Sequence, residues 1–469
     1  MQARSFLYQA FALMRNHTLA LLLLAASLNA APPPNFVVIF IDDMGYGDIG
    51  PFGSKLNRTP HLDRMAKEGR KLTSFYVASP VCTPSRAALM TGCYPQRVGL
   101  ARGSGHIVLF PGDPHGLHPD EVTVAETLKS VGYATGCFGK WHLGDQPQFM
   151  PTAQGFDEYY GIPYSNDMWP PLRRFKCPDL PMVRGTKVVD LIKNMEGQAT
   201  LCKKFTDAAT DFIRQSKEAG KPFFVYLPHA FVHGPREASP EFMARAKTVE
   251  QAQVEEVDWS VGQVLETIRE EGLSENTLVL FTTDNGPAGG LSAGPLRGRK
   301  GSSFEGGQRV PTVAWWPGTI PAGSQTDALT TAMDLHPTFA KLASAKMPLD
   351  RVIDGRDISP ILLGEPGAKT PHDRFFYQQG GRLAAVRSGD WKLFLNGQLY
   401  NLRKDLSESK NVAARYPGVV KRLQGLLDEF RRDLAQNSRP VGIDKNSRTL
   451  VPRPGAKGED AYRPTLSIK

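Results

Sequence analysis

Six consecutive apolar residues, Phe36-Val37-Val38-Ile39-Phe40-Ile41, constrain the fold more than any other stretch. A strand with no polar position must be buried on both faces, which is the condition of a central strand in a parallel sheet covered by helices on each side. The run ends on two carboxylates, in Asp42-Asp43-Met44-Gly45-Tyr46-Gly47-Asp48. The same texture recurs at 133–138, leading into Gly139-Lys140-Trp141-His142, at 223–227, leading to His229 and His233, and at 278–281, leading to Asp284-Asn285-Gly286. Helical spacing fills the gaps: Leu62, Met65 and Ala66 before Gly69; Val124, Leu128 and Val131 before Gly132; Phe205, Ala208, Phe212 and Ile213; and Val257, Val261, Val264, Leu265 and Ile268 before Gly272. Strands alternating with helices predict an α/β fold with a largely parallel mixed sheet sandwiched by helices.

The 469 residues exceed what one core usually serves. Near the C-terminus the texture changes to short strands at 384–387, 391–395 and 398–400, separated by Gly389-Asp390 and Asn396-Gly397, the latter a strong hairpin signal. With a helix carrying Val419, Leu423, Leu427 and Phe430, they predict a smaller α+β domain on an antiparallel sheet. We therefore expect a signal segment at 1–31, a catalytic domain at 32–366 and a C-terminal domain at 367–469. The stretch 162–182 reads as irregular, and the tail from Gln436 as extended or wrapped over the surface.

From Met14 the chain reads as a secretion signal: Arg15 and His17, the apolar stretch 19–26, then small residues before Pro32-Pro33-Pro34. It is too short to span a bilayer, so export without a membrane span is expected, to a periplasm or the exterior, with a lysosome as the alternative. The net charge of +9 becomes +7 when Arg4 and Arg15 are removed, spread without a basic stripe, which argues against nucleic acid and suits anionic partners. Five cysteines are an odd number for an exported protein. With Cys82 set apart, Cys93, Cys137, Cys177 and Cys202 could form two disulfides, Cys177 with Cys202 being the expected pair.

Ligands in open α/β sheets sit beyond the carboxyl ends of strands, so the four polar clusters can converge. Asp42, Asp43, Asp284 and Asn285 offer only oxygen, which suits Ca2+, or Mg2+, rather than zinc. Arg86, Lys140 and Lys300 add positive charge and the histidines can move protons, a combination suited to transfer of an anionic group. Cys82-Thr83-Pro84-Ser85-Arg86 precedes the helix-forming run Ala87 to Met90, where Thr83 can cap and Pro84 suits the first helical position.

The segment Cys82-Thr83-Pro84-Ser85-Arg86, continued by Thr91-Gly92 and Tyr94-Pro95, resembles the signature of the type I sulfatases of the alkaline phosphatase-like superfamily. Gly132 to Gly136 with Gly139-Lys140-Trp141-His142-Leu143-Gly144 is similar to their second signature. Further matches are Asp42 to Asp48, Gly161 to Asp167, Asp284-Asn285-Gly286, Arg297 to Pro311 and the Ser-Gly-Asp-Trp-Lys around Trp391. The look is closest to arylsulfatases and N-acetylgalactosamine-6-sulfatases.

The resemblance implies that Cys82 is oxidised to formylglycine by a maturation enzyme, and that Asp42, Asp43, Asp284 and Asn285 hold the cation with an oxygen of residue 82. It implies that Arg86 and Lys140 steady the formylglycine, that Lys140 and Lys300 grip the sulfate with Ser165 nearby, that His142 acts on the geminal diol, and that His233 assists the leaving group. His233 is preferred to His229 because of its spacing from the strand and the following Gly234-Pro235, although Val232 replaces the family's usual proline. Arg299 and Cys93 stand where relatives often carry other residues, without an assigned role. The expected activity is hydrolysis of sulfate esters, exo-acting on sulfated sugars or on aryl sulfates. The alternatives are a phosphoesterase or phosphonate hydrolase on the same fold, and an unmatured binding protein for sulfated glycans.

Overall fold

The computed structural model describes residues 32–171 and 176–466, so the expected signal segment lies outside the described residues. In chain order the strands are β1 (Asn35–Ile41), β2 (Arg70–Tyr76), β3 (His115–Gly116), β4 (Ala134–Lys140), β5 (Glu158–Ile162), β6 (Leu180–Arg184), β7 (Lys187–Ile192), β8 (Phe223–Pro228) and β9 (Thr277–Thr283). There follow β10 (Arg309–Trp315), β11 (Ser324–Thr326), β12 (Thr330–Thr331), β13 (Phe375–Gln379), β14 (Arg382–Ser388), β15 (Trp391–Phe394), β16 (Leu399–Asn401) and β17 (Gly442–Ile443).

The large sheet has eleven strands in the order β11-β2-β10-β9-β1-β8-β4-β5-β6-β7, with β12 also on β2. Its centre, β9-β1-β8-β4-β5, is parallel throughout. β1 is buried along its whole length. Val37, Ile39 and Ile41 join the apolar cluster that includes helices Pro60–Glu68, Leu201–Glu218 and Val249–Glu270. Phe36, Val38 and Phe40 face the opposite cluster, with Cys82–Thr91, Val124–Lys129 and Leu335–Leu342. Both faces of the strand are covered, which is why its sequence has no polar alternation.

The expected set lacked β5, inside this centre, and also β2 and β10, which extend the sheet beyond β9. β2 opens on Arg70 and Lys71, and β10 contains Pro311, both poor strand signals. The register between β10 and β2 shifts between Val310 and Thr312, so Pro311 occupies an irregularity where its missing N–H breaks no ladder. The stretch expected to be irregular also ends in a hairpin, β6 with β7.

Strands β13 to β16 form the antiparallel sheet expected near the C-terminus, covered by helix Pro417–Asn437 through Leu423, Leu427 and Phe430. Its apolar face shares a cluster with Tyr76, Ala78, Ala88 and Tyr94 of the larger part. Gln436 still belongs to that helix, and the chain beyond it runs back over the larger part, β17 pairing with β3 and Thr465 N–H donating to the Pro111 carbonyl.

The disulfide expectation fails: all five cysteines are free and buried. Cys202 lies in helix Leu201–Glu218, and its thiol faces the Glu256 carbonyl at 3.7 Å on the neighbouring long helix instead of Cys177.

Candidate active site

Parallel register delivers the site. Ile41 lies level with Thr283 on one side, and Phe40 with Pro228 on the other. The next residues are stitched together by backbone: Asp284 N–H donates to Ile41 O, Asp42 N–H to Phe231 O and Val232 N–H to Asp42 O. Asp42, Asp43, Asp284 and Asn285 therefore emerge side by side, all buried. Lys140 closes β4 on the far side of β8.

Cys82 is the first residue of helix Cys82–Thr91, every residue of which is buried. The cap differs from the expected one: Val81 takes that position without a side-chain bond, Pro84 is the third helical residue, and Thr83 Oγ1 accepts the Leu109 N–H at 3.2 Å. Cys82 Sγ lies 3.5 Å from Asp42 Oδ1. Burial, then the Asp42 charge, pushes its thiol well above the ordinary range, so the thiol itself is a poor nucleophile at neutral pH.

Charge is balanced by three cations. Arg86, fully buried, donates to Asp284 Oδ2 at 2.8 Å and to the Lys140 carbonyl at 2.8 Å, and lies 3.5 Å from Asp42 Oδ2. Lys140 Nζ donates to Asp42 Oδ2 and, at 3.1 Å, to Ser165 Oγ. Lys300 Nζ reaches both oxygens of Asp43, at 2.7 and 2.9 Å. Burial would raise the Asp42 carboxyl, but Lys140, His233, Arg86 and Lys300 together hold it well below the usual range. Asp284 goes the other way: burial and the Asp42 charge push it up to about 7.

The histidines separate into distinct environments. His233 Nε2 stands 3.6 Å from Asp43 Oδ2, while His229 is buried away from the carboxylates and pairs with Ser260 Oγ at 2.9 Å. His142 Nε2 meets the Leu109 carbonyl at 2.9 Å, leaving Nδ1 buried without a hydrogen-bond partner. Burial and then Lys140 hold His142 well below the usual imidazole range, so it stays neutral. Asp43 and His142 both adopt left-handed backbone, φ 66° and 61°, a strain of about 1–3 kcal/mol each that typically marks functional positions.

The oxygen donors of Asp42, Asp43, Asp284 and Asn285 suit a hard cation. Ligand atoms of Asp42, Asp43, Cys82 and His233 lie within 4.8 Å of one another. Asn285 Nδ2 donates to Asp43 Oδ1 at 2.7 Å, and its Oδ1 is buried with no partner. An orphaned amide oxygen beside two carboxylates fits Ca2+ or Mg2+ chemistry.

Residues 34–345 match the model of the family described as Sulfatase. The chain belongs to the sulfatase family. It is 41% identical over 393 residues to N-acetylgalactosamine-6-sulfatase of Canis lupus familiaris, covering 80% of this chain and 74% of that protein. It is 37% identical over 499 residues to arylsulfatase A of Homo sapiens, covering 96% and 95%. Among solved structures it is similar to Ps i-CgsB in complex with k-i-k-neocarrahexaose, with a TM-score of 0.78, 31% identity and coverage of 88% and 96%. It is likewise similar to the PsFucS1 sulfatase from Pseudoalteromonas sp., with a TM-score of 0.80, 27% identity and coverage of 88% and 92%. This sulfatase is thus an enzyme, a hydrolase of sulfate esters. Among its described residues, no helix is long and apolar enough to cross a membrane.

Two supports of the sulfatase site escaped sequence reasoning. The Leu109 carbonyl, which fixes the His142 ring, is a backbone group with no side-chain signal. Behind the Lys300 loop, Glu305 accepts from Tyr377 at 2.6 Å and from Lys392 Nζ at 3.0 Å, and Lys392 also meets Glu408 at 2.8 Å. Lys392 of the small sheet thereby holds Glu305, five residues beyond Lys300, at the start of a short helix.

Proposed function

We propose that this sulfatase releases sulfate from sugars, exo-acting at the ends of sulfated glycans. In this reading Cys82 is matured to formylglycine by a separate enzyme, and Asp42, Asp43, Asp284, Asn285 and the oxygen at position 82 hold a divalent cation, Ca2+ ahead of Mg2+. The observation that carries the reading is the convergence of the Cys82 side chain, three buried carboxylates and the unpartnered Asn285 oxygen at the end of the parallel strands. When present, the hydrated aldehyde supplies an oxygen nucleophile and the cation supplies Lewis-acid charge stabilisation.

The chain's own residues do the rest. With Asp284 ionised by a bound cation, Arg86, Lys140 and Lys300 would offset Asp42, Asp43 and Asp284 charge for charge, and a divalent ion would leave a surplus of two positive charges for an anionic ester. Lys140 and Lys300 present N–H donors to the sulfate oxygens, with Ser165 held against Lys140. His233, at the partly exposed mouth, donates a proton to the departing alcohol. His142, neutral and with Nδ1 free, accepts a proton from the side chain at position 82.

Sugar substrates follow from the relatives, one named for N-acetylgalactosamine 6-sulfate and one solved with neocarrahexaose. The 14–31 pattern supports export, to a periplasm or the exterior. The test is mass spectrometry of the peptide containing Cys82 from the native host, with turnover of 4-nitrophenyl sulfate beside 4-nitrophenyl phosphate. An aldehyde and preference for sulfate support the reading. An intact thiol without turnover makes the protein a glycan binder, and preference for phosphate makes it a phosphoesterase.

A further inference from the structure

Two arginines outside the catalytic constellation converge on one short loop. The loop Pro287-Ala288-Gly289-Gly290-Leu291 follows directly on Asp284-Asn285-Gly286. From one side, Arg236 Nη2 donates to the Ala288 carbonyl at 3.1 Å, and Nε donates to the Val232 carbonyl, immediately before His233, at 3.2 Å. Glu250 lies 3.7 Å from its remaining nitrogen. From the other side, Arg299 Nη2 donates to the Gly289 carbonyl at 2.7 Å and to the Leu291 carbonyl at 3.4 Å, and the Lys300 N–H donates to the Pro287 carbonyl at 3.0 Å. Gly289 has φ 58°, and a Cβ there would lie 2.5 Å from Arg236 Nη1, so only glycine lets the guanidinium approach. Among the described residues neither arginine forms an ion pair with Asp42, Asp43 or Asp284.

We propose that Arg236 and Arg299 are positioning residues, clasping the loop at 287–291 so that His233 and Lys300, both beside Asp43 Oδ2, are held at fixed places. This rests on the roles given above to His233 and Lys300. Arginine suits the task because its planar fork can serve carbonyls of two segments at once, and a charged donor strengthens each bond. Arg236, mostly buried, is the stronger arm, and Arg299 the exposed one.

The arms have separable kinetic signatures. Loss of the Arg236 brace misplaces the proton donor, which matters most when the leaving alcohol is weakly acidic. Loss of the Arg299 brace loosens Lys300, which weakens binding of every sulfate ester alike. The experiment measures kcat and KM of the matured full-length enzyme on aryl sulfates graded from nitrophenol to methoxyphenol. The variants are R236A, R236K, R299A, H233A and R236A/H233A, each checked by thermal melting. R236A is expected to lower kcat about 10–100-fold for the methoxyphenyl ester but under about 3-fold for the nitrophenyl ester, with R236K intermediate. In the H233A background R236A should add under about 2-fold, and R299A should raise KM about 3–10-fold across the series without changing the slope. A uniform fall in kcat for R236A and R236K, or full additivity with H233A, overturns the Arg236 arm. An R299A variant with unchanged KM overturns the other. If H233A itself leaves the slope unchanged, the reading of His233 falls and takes the Arg236 arm with it, whereas a steeper H233A beside a flat R236A refutes the clasp alone.

Discussion

Cys82 Sγ lies 3.5 Å from Asp42 Oδ1, at the first residue of a helix whose ten residues are all buried. A side chain so placed can react only with what the site itself binds. In the proposed reading, replacing it removes the precursor of the nucleophile, while the helix it opens keeps its other buried residues. C82A should lose about 10³-fold or more in kcat on 4-nitrocatechol sulfate, and C82S should not sustain turnover because a plain ester lacks the second hydroxyl needed for release. Steady turnover by C82S at more than a few percent of wild type would defeat the assignment.

The unpartnered Asn285 oxygen gives a prediction about the cation. Removing the amide deletes one donor and also the bond from Asn285 Nδ2 to Asp43. N285A should bind Ca2+ about 10–100-fold more weakly than wild type, measured by calorimetry on chelator-treated protein. Added Ca2+ should raise the melting temperature of wild type more than that of N285A, since a ligand that binds only the folded state stabilises it by mass action. Equal Ca2+ affinities would remove Asn285 from the ligand set.

The legible parts of this site came by two routes: Asp42, Lys140, His233 and Asp284 lie at or shortly after the ends of apolar strands and could be read as convergent from position alone, whereas Cys82, Arg86, Lys300 and Ser165 took their roles from the family signatures. The supports were not legible, because their partners are distant and often backbone. Arg236 acts on a carbonyl 52 residues away and Leu109 on a ring 33 residues away, and neither contact leaves a pattern in sequence. In the fold, β1, β8 and β9 announced themselves by unbroken burial. β10 hid behind Pro311, and β2 behind Arg70 and Lys71, because a register irregularity and the partly exposed start of a strand tolerate residues that the middle of a buried strand does not. The cysteine count misled for a physical reason: the four thiols other than Cys82 are buried singly, small groups filling the interior rather than half-cystines.

His142 sets an expectation for pH. Burial and Lys140 hold its pKa well below the usual imidazole value, so the ring remains a neutral base as the pH drops past 6.5. The acidic limb of kcat should therefore show no inflection from this residue between pH 6 and 7. H142A should lose about 10²–10⁴-fold in kcat with KM little changed. An inflection near pH 6.5 that vanishes in H142A would show the ring to be titrating normally.

Glu256 supplies a stability test remote from the catalytic groups. It is buried on the long helix, where its two oxygens accept the Ser239 N–H at 2.8 Å and the Ser239 hydroxyl at 2.7 Å, and among the described residues it forms no ion pair. Burial pushes its carboxyl from 4.5 up to about 7. The folded state thus binds the proton more tightly than the unfolded chain, so the stabilisation is complete below pH 4.5 and is lost as the pH rises through 7. Glutamine mimics the protonated acid, its carbonyl accepting the Ser239 N–H and its amide donating to the hydroxyl. E256Q should match wild type in unfolding free energy from urea titration at pH 4 and exceed it at pH 8 by up to about 3 kcal/mol, with the difference growing between pH 4.5 and 7. A difference that does not change with pH, or that grows toward acid, would mean that Glu256 is charged throughout and carries an unseen cationic partner.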